Sequence, residues 1–285
     1  MPAPEAGGRA AAPEPAPAAT TALLPMRVFH AARACCQRAI VCVAWQCSLH
    51  CEQDGQAISL RARWVVDATG RKGVLARPHR RPDRSTTTLA VVRRWRRPGG
   101  WNDDESNHTV VESYDAGWAW SVPLGPDLRC LTTMIDQRTA DLEGASVDDI
   151  LDAELDKTDR IGPLRGVAEP VGSAWACPAS LYTSERFAEP GLVLAGDAGS
   201  FIDPLSSFGV KKALSSGWLA GIMVHTALVD PAMGSTAVDF FHRREATVYQ
   251  RYRAISADFF AAGAEVYGAP YWTERAAAAR LAAGT

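Results

Sequence analysis

Residues 191–221 read Gly-Leu-Val-Leu-Ala-Gly-Asp-Ala-Gly-Ser-Phe-Ile-Asp-Pro-Leu-Ser-Ser-Phe-Gly-Val-Lys-Lys-Ala-Leu-Ser-Ser-Gly-Trp-Leu-Ala-Gly, a pattern of strand, loop and helix. The apolar run Leu192-Val193-Leu194-Ala195 is that of a strand buried in a parallel sheet, and Gly196-Asp197 closes it with a tight turn. Asp203-Pro204 fixes an extended turn, and Ser206 or Ser207 is placed to cap a helix whose apolar face runs Val210, Leu214, Trp218, Ile222. A carboxylate thus stands where a strand's carboxyl end meets a helix amino end. Unpaired amides and the helix dipole make that junction a place for electron-rich ligands. By spacing alone, a purely structural turn before a capped helix fits equally well.

The full string resembles the GD motif of FAD-dependent aromatic hydroxylases, geranylgeranyl reductases and flavin-dependent halogenases. The resemblance implies FAD as cofactor, with Gly196 and Asp197 at the ribityl chain. Pro204, Ser207, Phe208 and Gly209 would face the pyrimidine edge of the isoalloxazine. Reduced flavin carries negative charge at that edge, which suits a helix amino terminus. A second strand, in Arg63-Trp64-Val65-Val66-Asp67-Ala68-Thr69-Gly70, also ends in glycine. It resembles another motif of the same flavoproteins, which assigns Asp67, Gly70 and Arg77 to the cofactor. A tight turn followed by an exposed arginine is the plain alternative.

Residues 85–136 form a β-rich block. Its β-branched and aromatic runs, Thr86 to Trp95, Thr109 to Tyr114, Gly117 to Pro123 and Leu128 to Ile135, are separated by turn residues and predict an antiparallel sheet. Within it, Trp118-Ala119-Trp120-Ser121-Val122-Pro123 resembles the Trp-x-Trp-x-Ile-Pro motif of flavin-dependent halogenases. Alternation puts Trp118 and Trp120 on one face, where they either line a substrate cavity or pack the core. Ser146 caps a predicted surface helix reaching Lys157. Val171 to Cys177 returns towards the cofactor, with Trp175 as a third cavity candidate.

The 285 residues carry a formal net charge of −2 and 47% hydrophobic residues, a balance that calls for neither nucleic acid nor membrane as partner. Seven cysteines show no metal-binding spacing and no secreted framework. They predict reduced thiols, no metal site and a cytoplasmic protein. The apolar stretches are too short to span a bilayer, and the opening lacks a signal-peptide pattern.

These readings predict an α/β (α+β) chain: a partial Rossmann-like FAD-binding domain, an inserted antiparallel-sheet substrate domain and C-terminal helices. Residues 1–25 form a disordered Ala/Pro-rich tail, and 26–84 a partial FAD-binding region that opens on a short helix and a strand near Ile40 to Trp45. An Asp54-Gly55 hairpin follows. Residues 85–180 form the substrate domain and 181–232 the GD-motif region. Residues 233–285 are helical, with Phe241, Val248, Tyr252, Ile255 and Phe259 on one face and a basic cluster elsewhere.

The resemblance spans roughly residues 62–273, with departures. No Gly-x-Gly-x-x-Gly occurs, although the family holds the FAD pyrophosphate on such a turn. Relative to that pattern a truncated chain is the expectation, and with it weak FAD affinity. Lys72, Lys157, Lys211 and Lys212 are the only lysines, and none matches the halogenase catalytic lysine. The second pair is expected at the surface or on phosphate. Ser206 stands where tryptophan halogenases carry a glutamate, so the string looks more like halogenase-related monooxygenases, including those that act on aromatic side chains of partner proteins.

The resemblance therefore implies an FAD-dependent oxidoreductase, halogenase-like, that oxygenates an aromatic small molecule or a protein-borne aromatic side chain through a flavin C4a-hydroperoxide. No catalytic residue is assigned. Two alternatives stand beside it. One is a flavin-dependent halogenase of a phenol, pyrrole or indole, with chloride held by the amides of Ser207 to Gly209. The other is a truncated, non-catalytic remnant that does not bind FAD. A separate flavin reductase is the family's usual electron source.

Overall fold

The computed structural model describes residues 41–43, 46–53, 56–101, 107–140 and 144–283. The tail over residues 1–25 and the short helix expected after residue 26 lie outside them. Strands β1 (Val41–Val43), β2 (Gln46–Gln53) and β3 (Gln56–Ala62) form an antiparallel sheet. Gln53 pairs with Gln56, the register of the expected hairpin. The expectation of reduced thiols holds at Cys130 and Cys177, which are free, and fails at Cys47, which is disulfide-bonded. Pairing of β1 with β2 folds the cysteine-rich segment back on itself, with Cys42 opposite Cys47.

Two short strands follow, β4 (Val65–Asp67) and β5 (Arg80–Pro82). The largest layer is a five-stranded antiparallel sheet of β6 (Thr88–Arg96), β7 (Val110–Tyr114), β8 (Gly117–Pro123), β9 (Leu128–Asp136) and β10 (Glu169–Pro178), in the order β10-β6-β9-β8-β7. Its alternation divides the side chains cleanly. Val91, Ala119, Leu131 and Ile135 pack under Leu151 and Leu155 of helix α1 (Val147–Leu155). Ser146 and Asp149 start that helix with a reciprocal capping box, as Ser146 predicted.

Three further strands complete the sheets: β11 (Tyr182–Ser184), which pairs with β5, β12 (Ala188–Glu189) and β13 (Leu192–Leu194). β13 lies parallel to β4, with Leu194 opposite Asp67, and this pair is the parallel element the sequence required. After it come helices α2 (Gly209–Val229), α3 (Gly234–Tyr267) and α4 (Pro270–Ala283).

The second face of the large sheet, with Ala90, Val92, Trp118 and Met134, is covered by Phe260 of α3 and by Tyr271, Trp272 and Ala276 of α4. Gly263 makes this packing possible: a Cβ there would stand 2.2 Å from the Trp272 ring. Asp136 and Arg275, both buried, tie α4 to β9 by a 2.9 Å ion pair. Arg275 also donates to the carbonyl of Thr87 and the hydroxyl of Thr88. The mixed α/β architecture, with its antiparallel sheet and C-terminal helices, is the one expected.

Two helix faces differ from expectation. Val210, Leu214 and Trp218 of α2 are more than 70% exposed, and Ile222 is 42% exposed. The buried stripe is Lys212, Ser216, Ala220, Met223 and Ala227. The helix backbone approaches the strand end closely enough that a Cβ on Gly196 would lie 3.1 Å from the Ala213 Cβ, and only small residues fit such a contact. In α3 the buried stripe contains Phe241, Tyr249 and Phe260, while Phe259 is exposed. Among the described residues, no helix is long and apolar enough to cross a membrane, and no cluster of metal-ligating side chains is present.

Candidate functional site

The parallel strands β4 and β13 both end in an aspartate-bearing turn, and these two turns meet at one edge of the molecule. Asp67 is 2% exposed. One carboxylate oxygen accepts from the Thr69 amide at 3.0 Å and hydroxyl at 2.6 Å. The other accepts from the amides of Leu75 at 2.8 Å and Ala76 at 3.0 Å. The side chain thus holds its own loop closed around Gly70, whose φ of +63° suits glycine. Arg77 is exposed and donates to the Lys72 carbonyl at 3.2 Å. Arg71, which the motif did not single out, reaches the Pro178 carbonyl on β10 and lies 4.9 Å over the Phe201 ring. It links this loop to the large sheet.

Asp197 is placed differently. Its side chain is 29% exposed, and its charged neighbour is the Lys212 ammonium, 3.7 Å from Oδ1. The turn beneath it is braced from below. Gly196 adopts φ +60°, and its amide donates to Ser216 Oγ at 3.0 Å. Tyr182 donates its hydroxyl to the Asp197 carbonyl at 2.6 Å. Burial pushes the Tyr182 hydroxyl up to about 12, so it remains a donor at neutral pH.

Lys212 is fully buried and donates to the carbonyls of Gly196 at 3.0 Å and Ser200 at 2.6 Å. Burial lowers its pKa, and the Asp197 carboxylate opposes that shift. This corrects its expected place at the surface or on phosphate. The available signal was position: Lys212, Ser216 and Ala220 recur every four residues, on the side of α2 that the strand end occupies.

Beyond this turn, Asp203 caps a single turn at Pro204–Ser206, accepting from the Leu205 amide at 2.9 Å. Ser207 then adopts φ +56°, and among the described residues it is the only non-glycine with positive φ. A serine held in that region implies a backbone constrained by its neighbours. The helix cap is Phe208, with no side-chain hydrogen bond, so neither Ser206 nor Ser207 plays the capping part expected of it. Ser206 instead donates to the Asp203 carbonyl at 2.7 Å. The first amides of a 21-residue helix are therefore left without a capping side chain, next to an accessible carboxylate. An open carboxylate can accept from hydroxyls, and the helix terminus can stabilise developing negative charge.

The three indoles named from sequence lie on the same face of the large sheet. Trp118, 1% exposed, belongs to the core under α4, because Tyr271 and Trp272 cover that end of the face. Trp120 is half-buried and meets Trp118 edge-on at 5.2 Å between ring centroids. Trp175 lines an open surface depression together with Arg94, Leu124 and Cys130.

The tryptophan halogenase family model matches residues 48–283, extending the resemblance on both sides of the stretch recognised by motif. A tryptophan 2-halogenase of Chondromyces crocatus is 28% identical over an alignment of 231 residues that covers 77% of this chain and 43% of that protein. The crystal structure of the flavin-dependent halogenase CmlS superposes with a TM-score of 0.74 at 23% identity, covering 81% of this chain and 43% of CmlS. The peptidyl tryptophan dihydroxylase QhpG superposes with a TM-score of 0.63 at 24% identity, covering 84% of this chain and 53% of QhpG. The halogenase PltM, which shares the fold, has been solved with phloroglucinol and FAD. This chain spans about two-fifths of the length of the halogenase it matches in sequence. From the match across most of its length, together with the shared fold, the chain belongs to the tryptophan halogenase family, the flavin-dependent halogenases of the FAD monooxygenase fold.

Proposed function

We propose that this chain carries the ribityl- and ring-binding part of an FAD-dependent oxidoreductase that oxygenates an aromatic substrate. The observation that supports this most directly is the open Asp197 carboxylate beside the uncapped amino terminus of α2. Asp197 would accept hydrogen bonds from ribityl hydroxyls. Pro204 and the amides from Ser207 to Gly209 would face the electron-rich edge of the ring, and Gly70 and Arg77 would contribute from the loop that Asp67 holds. The residues present fit that portion of the cofactor. For the pyrophosphate the chain offers no Gly-x-Gly-x-x-Gly turn, so weak binding is the expectation.

When bound, the flavin supplies the oxygen-activating chemistry. The protein's own part is electrostatic and positional. The α2 terminus would stabilise negative charge on the ring. Lys212 and Tyr182 keep the Asp197 turn from shifting. Arg71 connects the loop after β4 to the strand that carries Trp175. The face bearing Trp120 and Trp175 is the proposed seat of the aromatic group, either a small molecule or, as the likeness to QhpG suggests, a side chain of a partner protein. Halogenation of a phenol, pyrrole or indole is the second reading, favoured by the activity named for CmlS and by the Trp118-Ala119-Trp120 string.

Titration with FAD, followed by absorbance, tests the cofactor reading. Saturable binding that weakens about tenfold in Asp197→Ala, the loss of one charge-assisted contact, supports it. Binding that ignores this substitution would overturn the assignment. No binding at high FAD would identify a remnant of the family that keeps the fold without the cofactor. If FAD binds, turnover with reduced flavin, oxygen and halide separates the two chemistries by whether the product gains an oxygen or a halogen.

A further inference from the structure

Lys212 sits where two physical effects oppose a cation. It is the fourth residue of α2, within the turn where the helix dipole favours negative charge, and its ammonium is fully buried. The adjacent Lys211 shows the alternative: that residue is exposed, with its ammonium 5.5 Å from the centre of the Phe208 ring. Bracing of the turn does not by itself call for a charge. The carbonyls of Gly196 and Ser200, which Lys212 meets at 3.0 and 2.6 Å, accept equally from neutral donors. Ser216 and Tyr182 already hold the same turn through neutral groups.

The contact that does use the charge is the one with Asp197, whose Oδ1 lies 3.7 Å from the ammonium. That carboxylate is partly exposed and is the group proposed for the ribityl chain. An ionised carboxylate suits hydroxyl donors, but it repels negative charge that gathers nearby. Reduced flavin carries such charge at the ring edge proposed to face the α2 terminus. Asp197 on its own therefore favours the oxidised cofactor over the reduced one. A buried ammonium behind the carboxylate cancels that repulsion, and its burial keeps salt from screening it. Glu245 of α3 is also fully buried, but it has its own ion pair with Arg244, which leaves Lys212 to balance Asp197.

We propose that Lys212 is a positioning residue that acts through Asp197: its charge offsets that of the carboxylate, so that the acid that binds the ribityl chain does not disfavour reduced FAD. The proposal rests on the cofactor reading and deepens it, giving the buried lysine a part in the balance between oxidised and reduced cofactor. It makes the two charges a matched pair, in which removal of either one tips the balance and removal of both restores it.

Midpoint potentials of FAD bound to the full chain, measured at neutral pH by equilibration with a reference dye, test this together with dissociation constants for oxidised and reduced FAD. Lys212→Met should weaken binding of reduced relative to oxidised FAD about tenfold, a drop of about 30 mV for a two-electron couple. Asp197→Asn should weaken both forms but shift the potential upwards by a similar amount, and the double variant should return close to the unsubstituted value. Should Lys212→Met fail to fold, the upward shift in Asp197→Asn carries the test alone. A potential unmoved or lowered in Asp197→Asn would overturn the proposal, as would equal weakening of both redox forms in Lys212→Met, the mark of a merely structural lysine. Absence of FAD binding by the unsubstituted chain would overturn it together with the cofactor reading, whereas binding with unmoved potentials would overturn it alone.

Discussion

Asp67 and Asp197 end neighbouring parallel strands, yet one is locked into the scaffold and the other is available. Asp67 is buried and accepts four hydrogen bonds from its own loop. Asp197 is partly exposed, with a lysine ammonium at 3.7 Å as its charged neighbour. The lesson is that a motif aspartate can contribute to a site in two ways, by shaping the loop or by meeting the ligand. The number of local amides that converge on the carboxylate separates the two cases.

Substitution should expose the contrast. Asp67→Ala leaves the amides of Leu75 and Ala76 buried without their acceptor, and it should cost about 4 kcal/mol in denaturant unfolding. Asp197→Asn should cost less, about 1–2 kcal/mol, because the buried Lys212 ammonium loses its opposing charge but keeps two carbonyl acceptors, while FAD binding weakens about tenfold. A similar stability loss at both positions would break the comparison.

The buried lysine beneath the Asp197 turn also confers a pH response. The folded pKa of Lys212 is lowered by burial, so the unfolded chain binds more protons between that value and the ordinary lysine value of about 10.4. Stability should therefore rise with pH across this window. Asp197→Asn removes the opposing charge, lowers the folded pKa further and should widen the window downwards. Denaturation midpoints from neutral to alkaline pH measure it, and a flat profile in both proteins would contradict the buried-ammonium reading.

Asp136 supplies the opposite limb. Burial alone would raise its pKa, but the hydrogen bonds from Arg138 and the nearby Arg275 charge outweigh this and lower it. The stability it provides is complete above the unfolded value of about 3.9 and is lost as pH falls through the lower folded value. Asp136→Asn should flatten this acid limb.

The smallest effects lie at the surface of the α2 region. Ser207→Gly relieves a left-handed backbone and should shift stability by only about 0.5 kcal/mol, since glycine's greater freedom in the unfolded chain offsets the gain. Trp218→Ser should change monomer stability by less than about 0.5 kcal/mol, because this indole is 72% exposed. A loss of several kcal/mol there would mean that the exposed face is covered in solution.

Much of this was legible in the residues. Period-two runs between turn signals marked the large sheet to within a few residues, and Ser146 announced α1. Apolar runs ending in glycine marked β4 and β13. These signals are local: backbone preference, capping and alternation act within a few residues, so a single sequence carries them. The face of α2 was not legible, because apolar residues lie nearly all round that helix and hydrophobicity cannot choose a side.

Tertiary structure chose it, through the close approach of α2 to the turn at Gly196, which admits Ser216 and Ala220 and leaves Trp218 outside. The same long-range packing buried Lys212 beneath Asp197. It also brought Arg94, Cys130 and Trp175, from three strands of the large sheet, to one open depression. The sequence by itself determined where strands, turns and helices begin and which turns bear acids, since those depend on neighbouring residues. Which acid stays open and which lysine is buried depend on residues distant along the chain, and only the fold decides them.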